Sequence, residues 1–176
     1  MKLKRLISVI AVFSLLGVVF IYVLSTLWKT RAENLFREYV RNPIPESVAQ
    51  IKVDKPISRG GYGYVFRFNI EREDFESILK SHSLRKAVIT VDVEGTGLNW
   101  EWEDWDYTKS DEDHHVMGFS IYALVRKPSW YDLPTWENPE AYAFMKEGNN
   151  EADIKVLIYN NKLGQAYFIT IYGHGL

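Results

Sequence analysis

From Leu6 to Trp28 the chain runs 23 residues without a charged side chain. As a helix that stretch is about 34 Å long, enough to cross a hydrocarbon core of about 30 Å. Helix is the expected form, because backbone groups in lipid have no water to bond and must satisfy one another. A cleaved signal peptide carries a shorter apolar region, of about 7–15 residues, closed by a small-x-small triplet. Val23-Leu24-Ser25 matches that triplet poorly. Residues 1–28 are therefore expected to be a retained transmembrane signal-anchor, with residues 6–28 in the membrane. Lys2, Lys4 and Arg5 precede the apolar run, while Lys29, Arg31, Arg37 and Arg41 follow it. Basic residues alone leave the orientation nearly balanced, but a short basic tip before a first apolar helix is the usual signal-anchor layout. The expectation is a single-pass protein of the cell membrane with its C-terminal part outside the cytoplasm.

Beyond the anchor, residues 29–45 read as a helical stalk and residues 46–176 as a single α+β domain. Thr30 and Glu33 have capping-box spacing, Leu35, Phe36, Tyr39 and Val40 form an apolar stripe, and Pro43 and Pro45 stop the helix. Ala49 to Val53 is a candidate strand. In GYGYVFRFN the aromatic residues Tyr62, Tyr64, Phe66 and Phe68 alternate, which predicts a strand with one aromatic face. Glu71 to Lys80 reads as a helix with Phe75, Ile78 and Leu79 on its inner side. Strands are expected over Lys86–Val93 and Val116–Val125, and a short helix from Asn138-Pro139 to just before Gly148. A hairpin closes the chain: Ile154–Tyr159, a turn through Asn160 to Gly164, then Ala166–Tyr172. Short links between consecutive strands predict a mainly antiparallel sheet with two short helices on one face.

The run IPESVAQI, then YVFRF with an Asp-Phe pair beyond it, then SWYDLP and the closing VLIYNNKLGQAYF resembles small uncharacterised bacterial domains. Such domains are carried behind a signal, a lipid anchor or a single membrane helix. The resemblance covers most of residues 44–172 and implies an anchor and an α+β class, without a catalytic residue. The chain has no cysteine, so the tether here would be the helix itself, and no disulfide framework exists.

Charge is unevenly spread. Four of the 21 basic residues and none of the 23 acidic ones lie within positions 1–29, which leaves 17 bases against 23 acids beyond. Between Asp92 and Asp113 stand nine acidic residues and one base, Lys109. Affinity for nucleic acid comes from bases meeting phosphates, so no nucleic acid is expected as a partner.

Trp100, Trp102, Trp105 and Tyr107 stand inside the acidic run with Glu101, Glu103 and Asp106. Indoles flanked by carboxylates can stack on a sugar or grip a cation, and equally can wall the sheet's own core. Trp130, Tyr131 and Trp136 form a second aromatic loop, expected beside the first. The leading expectation is a non-enzymatic binding module that meets a basic protein or cationic ligand through Trp100, Glu101, Trp102, Glu103, Trp105 and Asp106. A second is a metal-dependent hydrolase, because Asp111, Asp113, His114 and His115 offer carboxylate and imidazole donors. Their spacing departs from a calcium loop, with Lys109 where a glycine should be and His115 where a bidentate glutamate should be. A third is a structural subunit, with Ser14, Gly17 and Ser25 as the small residues of the anchor. The glycines at 60 and 63 imitate a kinase loop, but the strand lysine, catalytic loop and metal-binding motif of a kinase are missing. His82 and His174 have no evident partners, with His174 expected to fray near the chain's end. No nucleophile motif stands out and no cofactor is implied.

Overall fold

The computed structural model describes residues 2–55, 57–58, 61–91, 97–102, 117–120, 128–148 and 151–174. One helix, α1, runs unbroken from Lys2 to Tyr39 and joins the apolar run to the stalk. Thr30 is therefore inside a helix rather than capping one: its hydroxyl donates back to the Thr26 carbonyl at 3.0 Å. Glu33, the other half of the expected box, instead faces Lys29 at 3.8 Å and Arg37 at 3.7 Å. The described part from Ser14 to Trp28 is exposed all round, with Leu15, Ile21 and Tyr22 at 65%, 67% and 71%. After Arg31 the pattern changes. Ala32, Phe36 and Val40 are buried at helical spacing, and they dock the stalk onto the sheet.

Among the described residues, the rest is an antiparallel sheet of nine strands with one further α-helix and a short 3-10 turn at Leu133–Thr135, an α+β architecture. The strands are β1 (Ala49–Asp54), β2 (Ile57–Ser58), β3 (Gly61–Asn69), β4 (Arg85–Val91), β5 (Gly97–Trp102), β6 (Met117–Ser120), β7 (Glu140–Gly148), β8 (Glu151–Asn160) and β9 (Gln165–His174); α2 is Arg72–Ser81. Their spatial order is β1-β3-β9-β8-β7-β4-β5-β6, with β2 paired to β3 beside β1. From β1 to β6 are seven strand spacings, roughly 33 Å across the sheet.

Both faces of the central strands are buried. One face packs Phe66, Phe68, Phe168 and Leu157 against Phe36 of α1, Val40 just past its end, and Phe75 and Ile78 of α2. Phe36 meets Phe66 and Phe68 edge-on at 6.1 and 5.0 Å between ring centres, the favoured arrangement for aromatic quadrupoles. The opposite face packs Val65, Ile154, Val156, Ile158, Tyr167 and Ile169 under the loop that carries Leu133 and Trp136. The aromatic alternation read from GYGYVFRFN is thus a core face, and the closing hairpin forms as expected. Gly63 explains its own identity: a Cβ there would lie 2.1 Å from the Thr170 carbonyl oxygen.

Two expectations change. Residues 140–148 are strand β7, not the helix expected from Asn138-Pro139. Ala141 and Ala143 lie in one core while Tyr142 packs against the other, so a strand buried on both sides showed no one-sided polar pattern to betray it. The helical cover of the sheet therefore comes from α2 and the end of α1. His174 belongs to β9 and pairs in register with Glu151, rather than trailing free.

Candidate functional site

Segment 100–115, the contact surface expected from the sequence, begins on β5. Trp100 pairs in register with Ile89 and Met117, Glu101 with Val88, and Trp102 with Ala87. Opposed residues of an antiparallel pair share a face. Trp100 and Trp102 thus hold register positions on the face where Ala87 is buried and where Ile89, like Trp130 and Tyr131, packs against the core. Glu101 holds a position on the other face, where Val88 is 48% exposed. Glu103, Trp105, Asp106, Asp111, Asp113, His114 and His115 lie outside the described residues. In sequence they fall between β5 and β6, the two strands farthest from β1 in the sheet.

A polar cluster holds the second aromatic loop on the sheet. Arg67 donates from Nη2 to Asp132 Oδ2 and Gln165 Oε1, both at 2.8 Å, and from Nη1 to the Trp130 carbonyl at 3.3 Å. Tyr167, buried in β9, has its hydroxyl 2.9 Å from Asp132 Oδ1 and accepts the Asp132 backbone N–H at 3.0 Å. Burial pushes the Tyr167 phenol well above its ordinary range, so it stays protonated and acts as a fixed donor. Trp130, Tyr131 and Trp136 all pack around its ring at 5.0–6.3 Å. This arrangement fixes a loop; every charged atom that bonds within it is aimed at the protein itself.

On the other face, His82 ends α2 and places Nε2 2.6 Å from the Val40 carbonyl, with its ring 4.9 Å from Phe168. Burial lowers its pKa, leaving a neutral ring whose Nε2–H can donate to that carbonyl. The link ties the end of α2 to the end of α1, a partner 42 residues away that no sequence spacing announces. Ser47 does the same for the start of α2. Its hydroxyl accepts the Glu71 N–H at 3.1 Å and donates to Asp74 at 2.6 Å, so a residue from outside the helix serves as its cap. Arg72 then clamps α2 to β7 through both oxygens of Glu140, at 2.7 and 2.8 Å. That bond holds the Glu140 carboxyl below the usual range, the Arg72 hydrogen bond being the leading cause.

A groove of about 770 Å³ opens between α1 and the edge strand β1, beyond the reach of these clamps. Trp28, Lys29 and Arg31 line it from the helix, Lys52 and Lys55 from β1 and its exit, and Trp130 from the aromatic loop. Sequence reasoning missed it, because it is made by two segments that meet only when α1 docks. Among the described residues, no group of three His, Asp or Glu side chains is placed to hold a metal.

No protein family, curated protein or solved structure matches this chain. Among the described residues, one helix is long and apolar enough to cross a membrane, a property that a signal sequence shares.

Proposed function

We propose that the chain is a membrane-tethered, non-enzymatic binding module that holds its acidic, tryptophan-bearing segment 100–115 out from the membrane, on the extracytoplasmic side, to meet a basic protein or cationic ligand. The observation that carries this reading is topological. The helix that would enter the bilayer packs on β3, β8 and β9 and borders β1, while the acidic run belongs in sequence to β5 and its link to β6, the strands at the other end of a sheet roughly 33 Å across. That topology supports an acidic surface held apart from the anchor, with nine acids against one base between Asp92 and Asp113 to supply the attraction.

The test is capture. Changing Glu101, Glu103 and Asp106 together to lysine should abolish retention of the partner taken from native membranes, while thermal unfolding stays nearly unchanged, because exposed charges contribute little to stability. Raised salt should mimic the loss, as exposed attraction is screened over about 8 Å at physiological ionic strength. A hydrolase using Asp111, Asp113, His114 and His115 would instead lose bound metal and activity on His114→Ala or His115→Ala, with little response to salt. Retention of every partner by the lysine variant would reject the binding reading.

A further inference from the structure

The groove between α1 and β1 has a chemistry opposite to that of the segment across the sheet. Among the charged side chains that line it, Lys29, Arg31, Lys52 and Lys55 face two acids, Glu33 and Asp54, a surplus of two positive charges. Glu33 is already engaged with Lys29 and Arg37. Lys52 and Lys55 are exposed and form no ion pair with the described residues. Over residues 30–176 as a whole, the groove included, acids prevail, with 23 against 17 bases. This groove is therefore a basic recess in an acidic molecule.

Its position says what could fill it. Trp28 is the last residue of the uncharged run, and tryptophan favours the level of the lipid headgroups, where its ring is half in hydrocarbon and its N–H is wet. The Arg31 guanidinium lies 5.9 Å from the Trp28 ring centre, so the first charges above the apolar run are on the groove's helical wall. From the other wall, Lys52 and Lys55 bring the sheet's own cations to the same groove. An extended peptide fits less well. Strand β1 is an edge, but its register breaks between Ala49 and Lys52, Gln50 has φ of 54°, and Lys52 and Lys55 follow the break. Bulges and lysines of this kind block the addition of another strand.

We propose that this groove seats the anionic headgroup of a phospholipid from the bilayer that α1 enters, with Lys29, Arg31, Lys52 and Lys55 around the phosphate and Trp28 beside the glycerol. The seat rests on the reading of α1 as an anchor, and it fixes the height and tilt of the sheet above the membrane. Lys52 and Lys55 are its specific part, because Lys29 and Arg31 would meet headgroups on any helix of this composition.

Full-length protein is reconstituted in nanodiscs of phosphatidylcholine with and without phosphatidylglycerol, then re-extracted in mild detergent, and the retained lipid is identified by mass spectrometry. Phosphatidylglycerol should be enriched over phosphatidylcholine by at least about tenfold, which is about 1.4 kcal/mol of preference. Lys52→Glu with Lys55→Glu should remove the enrichment without changing thermal unfolding, whereas Lys2→Gln with Lys4→Gln at the chain's tip should leave it. Enrichment that survives the double glutamate variant overturns the proposal, as does its absence from the unaltered protein. Inorganic phosphate that displaces the lipid would make this a free-phosphate site, and a polyglutamate peptide held by the same lysines in place of lipid would make it an acidic-chain site; either result overturns it. Failure to enter nanodiscs at all, seen before any lipid is counted, overturns the anchor and the headgroup seat together.

Discussion

His82 shows how one side chain turns packing into a pH response. Its ring is partly buried against Phe168 and bonded to the Val40 carbonyl, and burial lowers its pKa from the ordinary imidazole value of about 6.5. As pH falls, the unfolded chain takes up this proton first, so stability should decline from about pH 6.5 downward until the folded ring also titrates. Glu140 works in the same direction over a lower window. Arg72 depresses its pKa, so the stabilisation is complete above the ordinary carboxylate value of about 4.3 and is lost as pH falls through the folded value. Denaturant titrations across pH should therefore show two declines. His82→Gln, which keeps a donor for Val40, should flatten the upper one alone, and Glu140→Gln the lower one alone. A single decline unaffected by His82→Gln would contradict the account of that ring.

At the same scale, Phe66 and Phe68 are 0% and 1% exposed. Replacing either with alanine should cost about 3–5 kcal/mol in equilibrium unfolding, and a loss below about 1 kcal/mol at both would mean the strand's inward face is misassigned. Tyr167→Phe should cost about 1–3 kcal/mol, because the Asp132 N–H then loses its buried acceptor. Phe66 was legible in the sequence, since alternation over a nine-residue strand puts its aromatic residues on one face. Tyr167 was not, because an aromatic in a closing hairpin looks the same whether its hydroxyl meets water or a loop 35 residues away.

Elements were legible where one physical pattern dominated. Strand β3 alternates, α2 repeats at helical spacing, and the hairpin of β8 and β9 turns at Asn160, whose side chain accepts the backbone N–H groups of Lys162 and Leu163. Strand β7 was misread as helix because Ala141, Tyr142, Ala143 and Phe144 pack on both faces, and period alone cannot separate a doubly buried strand from a buried helix. The capping-box spacing at Thr30 also misled. A box satisfies free N–H groups at a helix start, and in α1 those groups are already bonded to the turn before. Continuity of α1 makes its own prediction. Inserting four glycines between Trp28 and Lys29 should loosen the link between membrane and sheet, seen as added mobility of a spin label on Asn161 in bilayers. The thermal unfolding of the sheet should change little, since Ala32, Phe36 and Val40 dock beyond the insertion. An unchanged label would contradict a rigid connection.

At the scale of the whole molecule, charge is unevenly divided. The sheet's β1 edge carries the helix and a basic groove, and its β6 edge borders the acidic segment. The sequence exposed the acidic half of this division as a run of like charges. It hid the basic half, because Lys29 and Lys52 are neighbours only through the fold. Orientation belongs to the same scale. The chain has no cysteine, so one introduced at Asn161 is a unique reporter. It should react with an impermeant thiol reagent in spheroplasts if the sheet is extracytoplasmic, and labelling only after lysis would reverse that topology.

Everything proposed for this chain depends on its helix remaining in the membrane. The direct measurement is the intact mass and N-terminal sequence of protein that stays with membranes after alkaline carbonate washing. The account predicts a membrane-retained chain that still contains Leu6 to Trp28. A chain beginning at Thr26, or one released by the wash, would contradict it.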